Sequence, residues 1–269
     1  MRGPSKWLAV WACSGLIGVC SAACSGVFGQ GVQAGTGDKL PGSAFLSPEL
    51  KTQQDDEGAN PGMLWVAEGE KLWTKPDGAR GQACSACHGT AESSMRGVAV
   101  RYPKIDAGNG KLLNVEMKIN ECRSARQAAA AFAWESRELL GLTAYIAYQS
   151  RGLAFDASID GAAQPFFEAG RAFFNERQGQ LNLSCSQCHN DNWGRRLRGD
   201  TISQGHPTGF PIYRLEWQSM GSLQRRLRAC SLGVRADVLD YGAPEYVALE
   251  LYLAWRAADV PVETPGVRR

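Results

Sequence analysis

Cys84-Ser-Ala-Cys87-His88 and Cys185-Ser-Gln-Cys188-His189 are two copies of one pentapeptide, C-x-x-C-H. This is the attachment signature of a c-type haem. Two intervening residues let both thiols reach one porphyrin edge as thioethers, and the adjacent imidazole becomes the proximal iron ligand. A single C-x-x-C could equally be a redox dithiol or half of a zinc site. Duplication, with His closing each copy, favours two covalent haems held by Cys84, Cys87, Cys185 and Cys188, with His88 and His189 on the irons.

Working outward, the flanks repeat as well. Gly69 precedes Cys84 by 15 residues and Gly170 precedes Cys185 by 15; Trp73 and Phe174 each precede their first haem cysteine by 11. Both stretches have apolar residues at helical spacing, so an N-terminal helix leads into each motif in the same register. A loop-like stretch follows each motif, from Gly89 to about Leu113 and from Asn190 to about Leu215. It carries Pro103 in the first copy and Pro211 in the second. Each half then closes on a helix, expected over 128–149 and over 244–257, the latter with Pro244 at its first position. The expected fold is all-α: two tandem cytochrome c-like domains, residues 61–157 and 158–269.

The 269 residues suffice for two such domains, and 44% apolar content allows packed cores. A net charge of +2 gives no sign of a nucleic-acid partner. The N-terminus reads as a secretory signal over residues 1–29: Arg2 and Lys6, then an apolar run from Trp7 to Val19, then small residues. Cleavage before Cys24 would resemble a lipoprotein site and would be the only route to a membrane. Later cleavage, giving a soluble periplasmic protein, is the favoured reading. Residues 30–60 are expected to be a flexible leader.

The second axial ligands must come from elsewhere. The chain has three histidines, two of them proximal, so His206 could serve at most one iron. Cys122 and Cys230 lie 19 residues after Pro103 and Pro211 respectively, and 23 and 22 residues before Tyr145 and Tyr252. Met117 and Met220 match less well, at 14 and 9 residues after the prolines. Register therefore favours Cys122 on the first iron and Cys230 on the second. An inert buried thiol at each position, or a Cys122–Cys230 disulfide, are the competing readings. Cys230 is flanked by Arg225, Arg226, Arg228 and Arg235, and Arg195, Arg196 and Arg198 follow the second motif. Clustered guanidinium groups suit an oxyanion site there.

Asn120-Glu-Cys122-Arg123, and Arg226-Leu-Arg-Ala-Cys230 with Gly233 and Arg235 behind it, together with the two haem motifs, resemble the dihaem SoxA subunits of thiosulfate-oxidising SoxAX cytochromes. The resemblance spans nearly all of the chain after its signal. It implies an L-cysteine S-thiosulfotransferase that couples thiosulfate oxidatively to a cysteine of a SoxYZ-like carrier, with a SoxX-like monohaem cytochrome as partner. It further implies that Cys230 is the active-site cysteine, bearing a persulfide and ligating the second haem, and that Arg226 binds substrate. A tetrathionate-forming dihaem thiosulfate dehydrogenase and a non-catalytic electron carrier are the alternatives.

Overall fold

A computed structural model describes residues 38–269; the expected signal segment lies outside them. The first half contains α1 (Pro48–Asp55), α2 (Met63–Thr74), α3 (Cys84–His88), α4 (Ala91–Ser94), α5 (Val115–Cys122) and α6 (Arg137–Tyr148). The second contains α7 (Gln164–Asn175), α8 (Cys185–His189), α9 (Leu223–Gly233) and α10 (Pro244–Arg256). The expectation of a purely helical chain is corrected by short strands. β1 (Lys104–Ile105) pairs with β2 (Leu112–Leu113), and β3 (Arg196–Leu197) with β4 (Asp200–Thr201). A three-stranded sheet joins β5 (Ile212–Arg214), β6 (Ser219–Gly221) and β7 (Gly266–Arg268), with β7 parallel to the central β5. Strands of two or three residues are too short to leave a period-2 signal, and β7 pairs across a long sequence separation.

Each repeat is built on one crossing of two helices, and a glycine allows it. A Cβ on Gly69 of α2 would lie 2.1 Å from the Gly141 carbonyl oxygen of α6. A Cβ on Gly170 of α7 would lie 2.1 Å from the Ala248 carbonyl oxygen of α10. Either distance is far inside van der Waals contact, so only glycine lets the backbones meet. Aromatic rings then lock the crossings: Trp73 against Tyr145 at 6.1 Å between centroids, Phe174 against Tyr252 at 5.3 Å. The side chains of Leu139, Leu140, Leu249 and Leu251 are almost wholly buried along α6 and α10. Full burial of such a side chain stabilises by about 1.5–3 kcal/mol.

The repeats are not separate bodies. The described residues form one compact unit. The hairpin arm after each haem motif packs into the other repeat. Tyr213 and Met220 belong to the core of Trp65, Trp73 and Tyr145, while Leu112 joins Phe167, Phe174 and Tyr252, with Ile105 and Met117 packed alongside. Both methionines weighed as axial ligands are thus packing residues. The split near residue 157 describes the order of elements along the chain, whereas the cores cross it.

Two other expectations differ from the structure. The leader expected over 30–60 is ordered from residue 38: α1 is capped by Ser47, and Gln54 Oε1 accepts from Val267 N at 3.1 Å, tying this segment to β7. The closing helix of the first half starts at Arg137, capped by Ser136, and not at Ala128. Alanine-rich though it is, 128–134 is not helical, and Ala128 itself is left-handed. Asn120 brackets Phe132 through both backbone groups at 2.8 and 3.0 Å, and the Arg123 guanidinium donates to the Ala130 carbonyl. Tertiary hydrogen bonds override helix propensity here.

Candidate functional site

The two C-x-x-C-H turns are short helices entered from equivalent loops. Before α3, Asp77 bridges Gln82; before α8, Gln178 bridges Leu183. Each loop is clamped to the turn that follows the helix carrying Cys122 or Cys230. Arg80 N donates to Gln127 O and Ala79 N to Ala128 O; Leu181 N donates to Val234 O and Gln180 N to Arg235 O. Gly78 and Gly179 sit at the clamps with positive φ, and a Cβ on either would strike the opposing backbone carbonyl at 2.2 or 2.3 Å. Ala128 and Arg235 are both left-handed, at φ 51° and 58°.

These clamps fix the correspondence of Cys122 and Cys230. Cys122 ends α5, whose N-cap Asn114 accepts from Met117 N at 2.9 Å. Cys230 lies in α9, whose N-cap Ser222 accepts from Arg225 N at 3.1 Å. From cap to cysteine both helices count eight residues. From cysteine to the left-handed residue the first half counts six and the second five. The spare residue is taken up by a π-helical turn over Arg123–Gln127, a device that accommodates a wider turn within a helix. The one-residue mismatch in the sequence spacing is therefore an insertion after Cys122, and the cysteines themselves are equivalent.

Each thiol faces its own motif. Burial pushes the Cys84 thiol up, and Cys122 adds to the rise. Burial pushes Cys185 up to about 11, and Cys230 is the next contributor; Cys230 likewise raises Cys188. Burial also raises Cys122. None of the six described cysteines is in a disulfide, so Cys122 and Cys230 are not bridged. The donor set at each site is two thiols on one turn, an imidazole directly after them, and a further thiol from another helix. That set suits thioether attachment and axial ligation of a c-type haem.

The second site is the more enclosed. His189 Nδ1–H donates to Ser203 O at 2.7 Å, which leaves Nε2 as the free nitrogen for iron. Burial holds His189 below the usual imidazole range. Gly205 packs against the ring, where a Cβ would lie 3.0 Å from it. Ser184 and Gln187 close a capping box around α8; the first site has Ala83 and Ala86 at these places. His88 is exposed and rests beside Trp73, 5.7 Å between ring centroids. His206 donates from Nδ1 to Leu40 O at 2.8 Å, and burial holds it below the usual imidazole range.

The arginines around Cys230 divide sharply. Arg225 stacks on Trp217 at 4.2 Å and pairs with Glu135 at 3.8 Å. Arg228 covers Tyr241 at 4.5 Å and donates to Leu239 O. Arg235 reaches Gln180 at 3.5 Å. Arg195, Arg196 and Arg198 are exposed around the β3–β4 hairpin. Arg226, half-buried, forms no ion pair or side-chain hydrogen bond among the described residues, and its charge is felt at His189 and at buried Arg214. It lies one helical turn before Cys230 on α9, so the two share a face. In the first half, Arg123 is consumed by structure, pairing with Asp77 at 2.9 Å and lying 3.4 Å from the Phe132 ring centre.

A tandem pair of glycine-seated helix crossings, each presenting a C-x-x-C-H turn to a thiol from a capped helix, defines a c-type cytochrome. Residues 68–155 match the family model described as SoxA/TsdA, cytochrome c domain, so c-type haem is its cofactor. The chain is 38% identical over 231 residues to the L-cysteine S-thiosulfotransferase subunit SoxA of Pseudaminobacter salicylatoxidans, covering 86% of this chain and 81% of the relative. It is 36% identical to the SoxA subunit of Paracoccus pantotrophus over 83% of this chain and 77% of the relative. The crystal structure of SoxXA from P. pantotrophus superposes with a TM-score of 0.83 at 35% identity, covering 86% of this chain and 87% of that one. The chain belongs to the SoxA family of L-cysteine S-thiosulfotransferase subunits.

Proposed function

We propose that this chain carries two covalent haems and catalyses the oxidative coupling of thiosulfate to a cysteine of a SoxYZ-like carrier, Cys230 and Arg226 forming the active site of the second repeat. Cys84 and Cys87 attach the first haem, with His88 and Cys122 as its axial ligands. Cys185 and Cys188 attach the second, with His189 and Cys230. The observation that carries this reading is the uncommitted guanidinium of Arg226 one turn from Cys230, beside neighbours whose charges are already engaged. A fork of N–H donors matches the oxygens of a small dianion. Arg226 binds thiosulfate and aims its terminal sulfur at the Cys230 sulfur, which bears a persulfide.

In the net reaction a sulfur–sulfur bond forms between the terminal sulfur of thiosulfate and the carrier cysteine. The carrier thiol gives up its proton and two electrons leave. Bound haem supplies the one-electron acceptor chemistry. A thiolate ligand favours the ferric state, so a separate cytochrome of higher potential is the onward acceptor, and a SoxX-like subunit fills that role. The export signal expected at the N-terminus puts the chain in the periplasm; among the described residues no helix is long and apolar enough to cross a membrane.

The test is thiosulfate-dependent reduction of an external cytochrome in the presence of reduced carrier. Cys230→Ala is expected to abolish it while both haems stay attached. Retention of most of the rate would overturn the assignment and favour simple electron transfer.

A further inference from the structure

A cavity of about 90 Å³ lies between the two repeats. Its wall is drawn in matching pairs from the two halves: Pro103 and Pro211, Val115 and Leu223, Ala147 and Ala254. A volume of this size admits several water molecules. The wall also carries two acids with no acidic counterpart in the other repeat. Glu116 of α5 stands where the second repeat has Gln224, and Glu250 of α10 stands where the first has Thr143. Glu116 is 9% and Glu250 7% exposed.

Among the described residues neither carboxyl is paired with a cation. Asn114 Nδ2 donates to Glu250 Oε1 at 3.3 Å. Gln224 faces Glu250 from α9 with its Oε1 bound to Gly242 N and its Nε2 buried without a bond of standard geometry. Glu135, in the turn before α6, adds negative charge towards Glu116, and its own countercharges are Arg225 and Arg228 of α9. Tyr102, on the cavity wall, is a phenol raised by burial. Burial pushes Glu116 up to about 7 and Glu250 up to about 8, the charge of Glu116 adding to the rise at Glu250. Two buried carboxylates that feel each other's charge resist ionising together at neutral pH.

The position of the pair ties it to both haem sites. Glu116 lies six residues before Cys122 on α5, and Gln224, which faces Glu250, lies six residues before Cys230 on α9. At 1.5 Å per residue Glu116 lies about 9 Å along α5 from Cys122, and the Gln224 that faces Glu250 lies about 9 Å along α9 from Cys230, both residues assigned as axial ligands. We propose that this cavity is a proton-binding site of the holoprotein: Glu116 and Glu250 hold an exchangeable proton between them, and electrons arriving at the haems draw a further proton from water onto the pair. The electron goes to iron, the proton from solvent to a carboxylate oxygen, and reoxidation returns both. The coupling rests on the two-haem reading above; the proton itself rests on the cavity.

The experiment is electrochemical reduction of the holoprotein between pH 7 and about 8 in weak buffer with an indicator dye, the pair's own range. Wild type is expected to take up protons with the electrons, and Glu116→Gln and Glu250→Gln at most half as many. Haem midpoint potentials should fall with rising pH in wild type across that window and run flatter in both variants. Glu116→Gln is tolerated by the fold, since Gln224 already occupies the equivalent place, so it carries the test if Glu250→Gln loads haem poorly. Equal uptake in wild type and both variants would overturn the proposal. Haem count by intact mass on the same samples reports separately on the two-haem reading.

Discussion

Arg226 offers the sharpest separation of chemistry from stability, because the structure leaves it without an intramolecular partner. Replacing it by Lys keeps the charge and loses the fork. One charge-assisted hydrogen bond contributes about 1.5–3 kcal/mol, and 1.4 kcal/mol is a factor of about ten in rate. Arg226→Lys should therefore lower kcat/KM for thiosulfate by roughly 10- to 100-fold, and Arg226→Ala by more. Neither change deletes a contact of the folded chain, so stability should move by no more than about 0.5 kcal/mol. Arg228→Ala is the contrast. It removes the donation to Leu239 O and the cover over Tyr241, together about 1–2 kcal/mol, which is about 2–8 °C in Tm for a chain of this size. Turnover by carrier-dependent cytochrome reduction and Tm by calorimetry on the same preparations make the comparison. If Arg226→Ala lowers Tm as much as Arg228→Ala does, or if the Arg228 variant loses as much turnover as the Arg226 variant, the division between a substrate arginine and scaffold arginines is wrong.

Gly69→Ala should destabilise although alanine is the better helix former: propensity gains up to about 1 kcal/mol, whereas driving a methyl to 2.1 Å from the Gly141 oxygen forces α2 and α6 apart at about 1–3 kcal/mol or more. A Tm equal to wild type would refute the seated crossing. Cys122→Met should shift the spectrum and potential of the first haem alone; an unchanged first-haem spectrum would show that Cys122 is not its ligand. The buried acids make stability depend on pH in a definite sense. Their folded pKa values, about 7 and about 8, lie above the ordinary 4.5. Their neutral forms are favoured in the native state, and stability drains away as pH rises from 4.5 to about 8, by about 1.4 kcal/mol per unit of displacement. Denaturant midpoints of wild type minus Glu250→Gln should fall across that interval and level off above it. A flat difference would place Glu250 in contact with water.

Much of this was legible because covalent chemistry and sterics leave fixed spacings. The C-x-x-C-H turns, and the glycines and aromatics 15 and 11 residues before them, located both helix crossings. The prolines and tyrosines brought Cys122 and Cys230 into register. Short strands were silent, since two residues carry no period. The start of α6 differs from the expectation because Asn120 and Arg123 hold an alanine-rich run out of helix through hydrogen bonds that local propensity does not feel. The division of the arginines was equally hidden. Arg225, Arg226 and Arg228 look alike in sequence, and only Trp217, Glu135, Tyr241 and Leu239 around them show which one is spare. A sequence signal did exist for the acid pair: aligned by their cysteines, the repeats put Glu116 opposite Gln224.

The exchanged hairpin arms bear on how the protein matures. Tyr213 and Met220 complete the first core and Leu112 the second, so a nascent first half emerging on its own lacks part of its own interior. Haem attachment needs only an accessible C-x-x-C-H segment, so it can precede the closing of either core. The last strand, β7, holds both Gln54 near the beginning of the described chain and β5 in the second half. The chain then behaves as a parcel tied by its final residues: deleting Gly266–Arg268 should loosen the hold on the first haem, although no atom of that strand belongs to the first repeat.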